Sequence, residues 1–144
     1  MKVLFDTSVI VAASLPQHPR HAPCFAQLQA ARTDQVQGYL STHSLAEIYS
    51  VLTRMPSKPR MSPQDVRLLI DHQLQYLEAV LLEPANYRAA IAQMSELNLP
   101  GGGIFDALIA QAALKAGVDR LLTLNPKHFT RLSEAIALLV LMPE

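Results

Sequence analysis

The chain has 144 residues, of which 50% are apolar and 17% charged, a composition that predicts one folded domain over residues 1–144 and excludes a disordered chain. Its 12 Lys and Arg residues balance its 12 Asp and Glu residues, which excludes a general polyanion binder. Any contact with nucleic acid must then come from a local basic patch.

The first part of the chain alternates short apolar strands with helices. In order, the patterns predict a strand over 3–5, helices over 9–15 and 19–32, a strand over 35–41, a helix over 42–54 and a basic, proline-broken loop over 55–60. Thr7 or Ser8 is expected to cap the first helix, because a hydroxyl oxygen accepts hydrogen bonds from free backbone amides. The second helix is expected to bury the face that contains Phe25, Leu28 and Ala31.

The same alternation continues after the loop. Ser62, Pro63 and Asp65 predict a helix that begins with a capping Ser and runs to about residue 75. A Gly-rich break precedes a long apolar helix, which contains Asp106 near its start and closes at Gly117. The other predicted elements are a strand over 79–82, a helix over 84–97, a strand over 120–124, a short helix over 127–132 and an apolar run over 137–142.

Strands and helices that alternate in this way, with strands apolar on both faces, predict an α/β fold: a parallel sheet covered by helices on both sides. Near the N-terminus, Lys2 and the apolar residues after it superficially resemble a signal peptide, but Asp6 interrupts the apolar run. No apolar stretch approaches the ~18 residues of a membrane span, and the single Cys24 suits a reducing compartment. We expect a cytoplasmic protein without membrane association.

Four oxygen-bearing side chains are expected to meet at one edge of the sheet. Asp6 and Asn125 directly follow the first and fourth strands, Glu47 lies early in the helix after the second strand, and Asp106 opens the helix that leads to the fourth. Functional groups collect beyond the carboxyl ends of parallel strands, where the strand order reverses. Clustered oxygens are the ligands that Mg²⁺ and Mn²⁺ prefer, and such sites serve phosphoryl chemistry.

Each of these residues also has a purely structural interpretation. Asp6 can end a strand in a turn, Asp106 can stabilise a helix N-terminus, and Asn125 before a Pro can be a turn residue. Helical periodicity places Glu47 away from the apolar face and so predicts a solvated side chain. That apolar face consists of Leu45, Ile48, Tyr49 and Leu52.

Other patterns in the chain give weaker evidence for a function. The three glycines at 101–103 lack the Lys-Ser/Thr of a phosphate-binding loop, and His18, His21 and Cys24 lack an evident fourth zinc ligand. Basic side chains in two loops are candidates for RNA phosphate contact, although solvated surface is the alternative for each. These side chains are Arg54, Lys58, Arg60, Lys127, His128 and Arg131.

Four pieces of the chain, in this order, resemble the PIN-domain family, and most of all its single-domain VapC-type toxins. The pieces are Val3-Leu-Phe-Asp-Thr-Ser8, Leu45-Ala-Glu-Ile-Tyr49, Gly101-Gly-Gly-Ile-Phe-Asp-Ala-Leu-Ile-Ala110 and Leu122-Thr-Leu-Asn-Pro-Lys-His-Phe129. The resemblance implies a three-layer α/β/α fold with a central parallel sheet of about five strands. It also implies a metal-dependent endoribonuclease, the toxin of a toxin–antitoxin pair.

The resemblance also assigns roles to individual residues. Asp6, Glu47 and Asp106 match the family's catalytic, metal-binding carboxylates, and Ser8 and Thr123 take supporting positions. Asn125 stands where many members have a fourth Asp, so the number of bound metal ions, one or two, stays open. The family further implies Mg²⁺ or Mn²⁺ as cofactor, cleavage that leaves a 5′-phosphate, an antitoxin that masks the site, and a homodimer.

Two other functions compete with this one. A phosphatase would use Asp6 as a nucleophile and form an aspartyl-phosphate, although Ser8 stands where one such phosphatase class places its second Asp. A catalytically inactive scaffold that binds RNA or protein is the second alternative, and Asn125 in place of an Asp keeps it open.

Overall fold

The computed structural model describes residues 1–56 and 60–144 and contains a five-stranded parallel sheet between two layers of helices. The elements are β1 (Lys2–Phe5), α1 (Thr7–Ser14), α2 (His21–Arg32), β2 (Gln37–Ser41), α3 (Thr42–Arg54), α4 (Pro63–Gln73), β3 (Leu77–Val80), α5 (Pro84–Glu96), α6 (Gly103–Ala116), β4 (Arg120–Leu122), α7 (Pro126–Thr130), α8 (Glu134–Ala137) and β5 (Val140–Leu141). The predicted α/β/α fold with a parallel sheet is confirmed. In the described ranges, no helix combines the length and apolar character needed to cross a membrane.

The strand order is β3-β2-β1-β4-β5, so the first strand of the chain lies in the centre of the sheet. The chain first moves outward from β1 through β2 to β3, then returns across the sheet to β4 and continues to β5. Its direction across the sheet therefore reverses between β1 and β4. In an open parallel sheet, this reversal leaves a crevice at the carboxyl ends of the two strands.

The central strand faces two separate cores. Val3 and Phe5 point to one side, where they pack with buried residues of α1, α2, α3 and α4. Leu4 points to the other side, where it packs with α5, α6 and the segments of α7 and α8. Because successive strand side chains alternate between faces, a strand covered on both sides requires consecutive apolar residues, as β1 has at Val3, Leu4 and Phe5 after the exposed Lys2.

Two predictions about the first helices are wrong. Helix α1 begins at Thr7 with Asp6 as its N-cap residue, and neither Thr7 nor Ser8 caps it, because their hydroxyls bond to acidic side chains. In α2, Phe25 is 43% exposed, and Cys24 is fully buried on the inner face with Leu28 and Ala31.

The predicted bounds of one strand need correction, and the final apolar run is resolved into its elements. Strand β3 spans Leu77–Val80 rather than 79–82, because its ends are set by pairing with β2, in which Gly38 lies opposite Leu77. The apolar run over 137–142 is not one element. It contains the end of α8 and the two-residue strand β5.

Where the sequence contains clear signals for the end of a helix, the helix boundary in the structure agrees with the prediction. Ser62 and Asp65 form the reciprocal capping box at the start of α4, and Gly117 ends α6 with a positive φ of 64°. Gly103 at the start of α6 packs closely against α5, since an added Cβ would lie 2.7 Å from the Cε of Met94 and would displace the end of that flexible side chain.

Candidate active site

The predicted carboxylates line one cleft at the carboxyl ends of β1 and β4, where the chain direction reverses. The cleft has a volume of about 400 Å³ and is lined by Asp6, Thr7, Ser8, Val11, His18, Glu47, Val51, Asp106, Leu124 and Asn125. A larger cavity of about 570 Å³ lies at the amino ends of β2 and β3 and contains none of the predicted site residues. The chemistry of the side chains, rather than cavity size, therefore identifies the smaller cleft as the candidate site.

Asp6 is the most deeply buried carboxylate of the cleft, with 4% of its surface exposed. Ser8 Oγ and Thr123 Oγ1 both donate hydrogen bonds to its Oδ2, at 2.6 and 2.8 Å. Ser8 Oγ also accepts from the Leu124 amide, at 3.1 Å, which ties the loop after β4 to the start of α1. Burial raises the pKa of Asp6, the two hydroxyls oppose that rise, and the charge of Glu47 adds to it.

The two hydroxyls leave Asp6 in a specific orientation. Neither of them bonds to Oδ1, so one carboxylate oxygen is held by the protein while the other is free of these hydroxyls. Ser8 and Thr123, which the family resemblance gave as supports, occupy supporting positions in the structure. A carboxylate fixed in this way is suited to accept one further partner from the cleft.

Asp106 lies in the first turn of α6 and approaches the same cleft from the other side of the sheet. Burial raises its pKa from 3.8 to about 6, and the charge of Asp6 contributes next to that rise. Its only ion-pair contact among the described residues is with His128, which is charged only when protonated and whose Nδ1 lies 3.4 Å from Asp106 Oδ2. The charges of Asp6 and Glu47 therefore add to an effect on the pKa that is mainly due to burial.

Glu47 reaches the cleft from α3, which the helical periodicity did not predict. Its Oε1 lies 3.0 Å from Thr7 Oγ1 and 3.0 Å from His43 Nε2, and 31% of its side chain is exposed. Thr7 Oγ1 is also 3.0 Å from Ser44 Oγ. Because a carboxylate only accepts, the single hydroxyl hydrogen of Thr7 goes to Glu47, and Ser44 donates to Thr7. The apolar face of α3 is also smaller than predicted, since Tyr49 is 43% exposed.

Asn125 completes the cleft at the end of β4. Its side chain lines the cleft, and its backbone amide donates to Thr123 Oγ1 at 2.9 Å, so the side chain is not needed to hold the turn. It precedes α7 as the N-cap residue but makes no side-chain cap bond. The turn interpretation therefore does not account for the Asn side chain.

The predicted RNA-contact residues divide into two groups. Lys127 and His128 line a cavity of about 320 Å³ that shares Leu124 and Asn125 with the cleft. The exposed side chains of Arg54 and Arg60 are not among the residues that line the cleft. Lys58 lies outside the described residues. Arg131 is close enough to Asp106 to lower its pKa, against the larger effect of burial.

Sequence reasoning missed or set aside two residues that line the cleft, Thr7 and His18, and one that contacts Glu47 from outside the lining, His43. The Nδ1 of His18 accepts the Arg20 amide at 3.0 Å, while Cys24 is buried in the core, so these residues do not form the zinc set that their spacing suggests. The sequence did contain a signal for His43. It lies four residues before Glu47 on the same helix, so the two side chains must lie on the same face of that helix.

The donor atoms of the cleft fit a hard divalent cation in kind, since they are carboxylate and amide oxygens. Burial raises the pKa of Asp6 and of Asp106, and the charges of neighbouring carboxylates add to each rise. They are not a ready-made ligand set. Over residues 1–56 and 60–144, no three His, Cys, Asp or Glu side chains are close enough together to hold one ion. A cation in this cleft would take one or two carboxylates directly and complete its shell with water, as Mg²⁺ commonly does.

The sequence matches the PIN domain family over residues 3–135. It is 32% identical over 111 residues to ribonuclease VapC27 of Mycobacterium tuberculosis, which covers 75% of this chain and 74% of the relative. It is 31% identical over 116 residues to ribonuclease VapC40 of the same organism, with 81% of each chain covered.

Solved structures of similar fold extend the comparison. The toxin–antitoxin complex VapBC2 of Rickettsia felis, bound to a DNA fragment from its promoter, matches over the whole of both chains with a TM-score of 0.68 and 20% identity. VapC20 of M. tuberculosis, a toxin that cleaves the sarcin–ricin loop, matches with a TM-score of 0.66 and 17% identity over 83% of this chain and 86% of that one. At these identities the structural likeness shows the fold alone.

Proposed function

Because this chain belongs to the PIN-domain family, we propose that it is a metal-dependent endoribonuclease whose active site is the cleft between β1 and β4. The observation that carries the proposal is the meeting of Asp6, Glu47 and Asp106 at the point where the strand order reverses. The relatives VapC27 and VapC40 are named ribonucleases, which supports RNA as the substrate. The raised pKa of Asp106 supports a site built to receive positive charge.

In this function, some residues of the cleft would bind the metal ion and others would bind the RNA. Asp6 is held by Ser8 and Thr123, and Glu47 is held by Thr7, so both carboxylates face the cleft without needing to reorganise. A bound Mg²⁺ or Mn²⁺ would supply a water of lowered pKa and neutralise charge on the phosphate. Lys127 and His128, beside the cleft, are placed to meet RNA phosphates that flank the reacting one.

The two competing functions fit the cleft less well. A phosphatase nucleophile must reach a phosphorus atom, but Asp6 is almost fully buried and one of its oxygens is occupied by two hydroxyls. An inactive scaffold has no need for three carboxylates in one poorly solvated cleft, because such repulsion destabilises the fold without a compensating ligand.

The decisive experiment is a cleavage assay on a structured, end-labelled RNA. We expect cleavage in millimolar Mn²⁺ or Mg²⁺, on the order of what a weak site needs, and none in EDTA. Activity should return when excess Mn²⁺ is added back. Undiminished cleavage in EDTA would contradict the metal mechanism, and absence of cleavage with a covalent phosphate on Asp6 would favour the phosphatase.

We also propose an antitoxin partner, a homodimer and a cytoplasmic location. The structural neighbours VapBC2 of R. felis, VapBC-1 of nontypeable Haemophilus influenzae and FitAB are complexes of toxin and antitoxin type, which supports the first of these. Light scattering on the purified chain, alone and with a candidate small partner, measures both assemblies.

Asn125→Asp is expected to tighten Mn²⁺ binding by about three- to tenfold, because it adds a charged oxygen to the cleft. The change keeps the side-chain size and the backbone bond to Thr123, so it tests the ligand role alone. A titration of melting temperature against Mn²⁺ gives the midpoint for both proteins. Identical midpoints would place Asn125 outside the coordination shell.

A further inference from the structure

His43 is more enclosed by other side chains than a residue on the surface of a helix usually is. It is the second residue of α3, and 10% of its side chain is exposed. Ser41 Oγ lies 2.7 Å from its Nδ1, and Glu47 Oε1 lies 3.0 Å from its Nε2. The Phe105 ring, one residue before Asp106, stacks against it at 6.3 Å between centroids and 21° between planes.

The contact between Ser41 Oγ and Nδ1 is compatible with a ring hydrogen on Nε2. In the tautomer in which Ser41 donates to Nδ1, the ring hydrogen lies on Nε2, beside Glu47. Nε2 is close to Glu47 but is not aligned for a hydrogen bond, and it has no other partner in the described parts of the chain. A buried donor without a hydrogen-bond partner is unfavourable, so alignment of Nε2 with Glu47 Oε1 would stabilise the pair.

We propose that His43 is a positioning residue that holds the Glu47 carboxylate in the orientation needed to bind the divalent cation. The inference rests on the proposed function. Thr7 and His43 both approach Oε1, so neither of them occupies Oε2. The arrangement repeats that of Asp6, where two hydroxyls hold Oδ2 and neither of them bonds to Oδ1. Ser41 and Phe105 keep the imidazole in place, from the end of β2 and the start of α6.

Calorimetric titration of the full chain with Mn²⁺ tests the proposal without any RNA. His43→Ala is expected to weaken Mn²⁺ binding by about 10- to 100-fold, the usual effect of removing a group that orients a ligand. His43→Gln keeps a donor near the Nε2 position and is expected to recover most of the affinity. Ser41→Ala frees the ring and is expected to give a smaller loss, in a variant that leaves the imidazole itself intact.

A double-mutant cycle separates positioning from general packing. In a Glu47→Gln background, His43→Ala should not weaken Mn²⁺ binding further, because the group that it orients is already gone. An equal loss in both backgrounds, or a folded His43→Ala chain with wild-type affinity, would overturn the proposal. If His43→Ala does not fold, Ser41→Ala carries the same test, and wild-type Mn²⁺ affinity of that variant would overturn the proposal.

The outcomes also distinguish this inference from the function on which it rests. A wild-type chain that binds no Mn²⁺ at millimolar concentration contradicts both. A wild-type chain that binds Mn²⁺ and cleaves RNA, together with folded His43→Ala and Ser41→Ala variants of unchanged affinity, contradicts only the role of His43.

Discussion

Replacing either Asp6 or Asp106 by Asn is expected to slow RNA cleavage by about a thousand-fold or more. Asn keeps the shape of Asp and removes the charge with which each side chain would hold a cation in the shared cleft. The double variant should be little slower than either single variant, because residues that act as one unit lose function non-additively. Single-turnover cleavage of a labelled RNA in Mn²⁺ measures all three rates.

Asp71→Asn is the matched control for these variants. Asp71 is exposed on α4 and does not line the cleft, so the control removes one charge from the protein without touching the site. It should cleave at the wild-type rate. Independent losses that multiply in the double variant would show that Asp6 and Asp106 do not serve one site.

In the absence of metal, Asp106→Asn is expected to gain stability relative to wild type as the pH rises from about 4 to 7. Folding raises the pKa of Asp106 from 3.8 to about 6, mainly through burial and then through the charge of Asp6. The folded chain therefore holds this proton more tightly than the unfolded chain, so the contribution to stability is present below about pH 4 and is lost as pH rises through about 6. Asn does not titrate and keeps its contribution.

Between these pH values, the free energy of unfolding of Asp106→Asn relative to wild type is expected to rise by an amount on the order of 1–3 kcal/mol. The size of the pKa shift sets the upper value. Loss of the attraction between Asp106 and the N-terminus of α6, about 0.3–1 kcal/mol, acts in the opposite direction but is smaller. Urea unfolding in EDTA at the two pH values measures the difference, with Asp71→Asn as control. A difference that does not vary with pH would mean that Asp106 is only a helix-start residue.

Metal should reverse this order of stability. At about ten times its dissociation constant, a bound ion stabilises the native state by roughly 1.4 kcal/mol, or about 3–6 °C in melting temperature for a domain of this size. Wild type should show this shift in Mn²⁺, and Asp106→Asn should largely lose it.

The fold was predictable because its signals are local and repeated. Apolar strands such as Val3–Phe5, the capping box at Ser62 and the closing Gly117 each determine one boundary from a few residues. Strand β3 was predicted two residues too late because the uninterrupted apolar run is 79–82, whereas the strand begins at Leu77 and includes the charged Glu78. Those ends depend on pairing with β2, which is a contact between remote parts of the chain.

The candidate site was predictable only in part, for a similar reason. The place of Asp6, Asn125 and Asp106 in the site was predictable, because ligand-binding residues gather where the strand order of a parallel sheet reverses. Periodicity misjudged Glu47, since a partly exposed residue that faces a cleft looks the same in sequence as one that faces bulk water. The partners of Glu47, Thr7 and His43, come from different elements, so their contact with it depends on the packing of α1 against α3.

The central position of β1 also determines when the cleft comes into existence during synthesis. Asp6 belongs to the first segment to be made, yet its backbone amide pairs with Leu122 and its carboxylate takes a hydrogen bond from Thr123. A nascent chain that has not yet reached β4 lacks both partners and one whole wall of the cleft. On the proposed function, a growing ribonuclease chain therefore stays harmless to the messenger and the ribosome that are producing it.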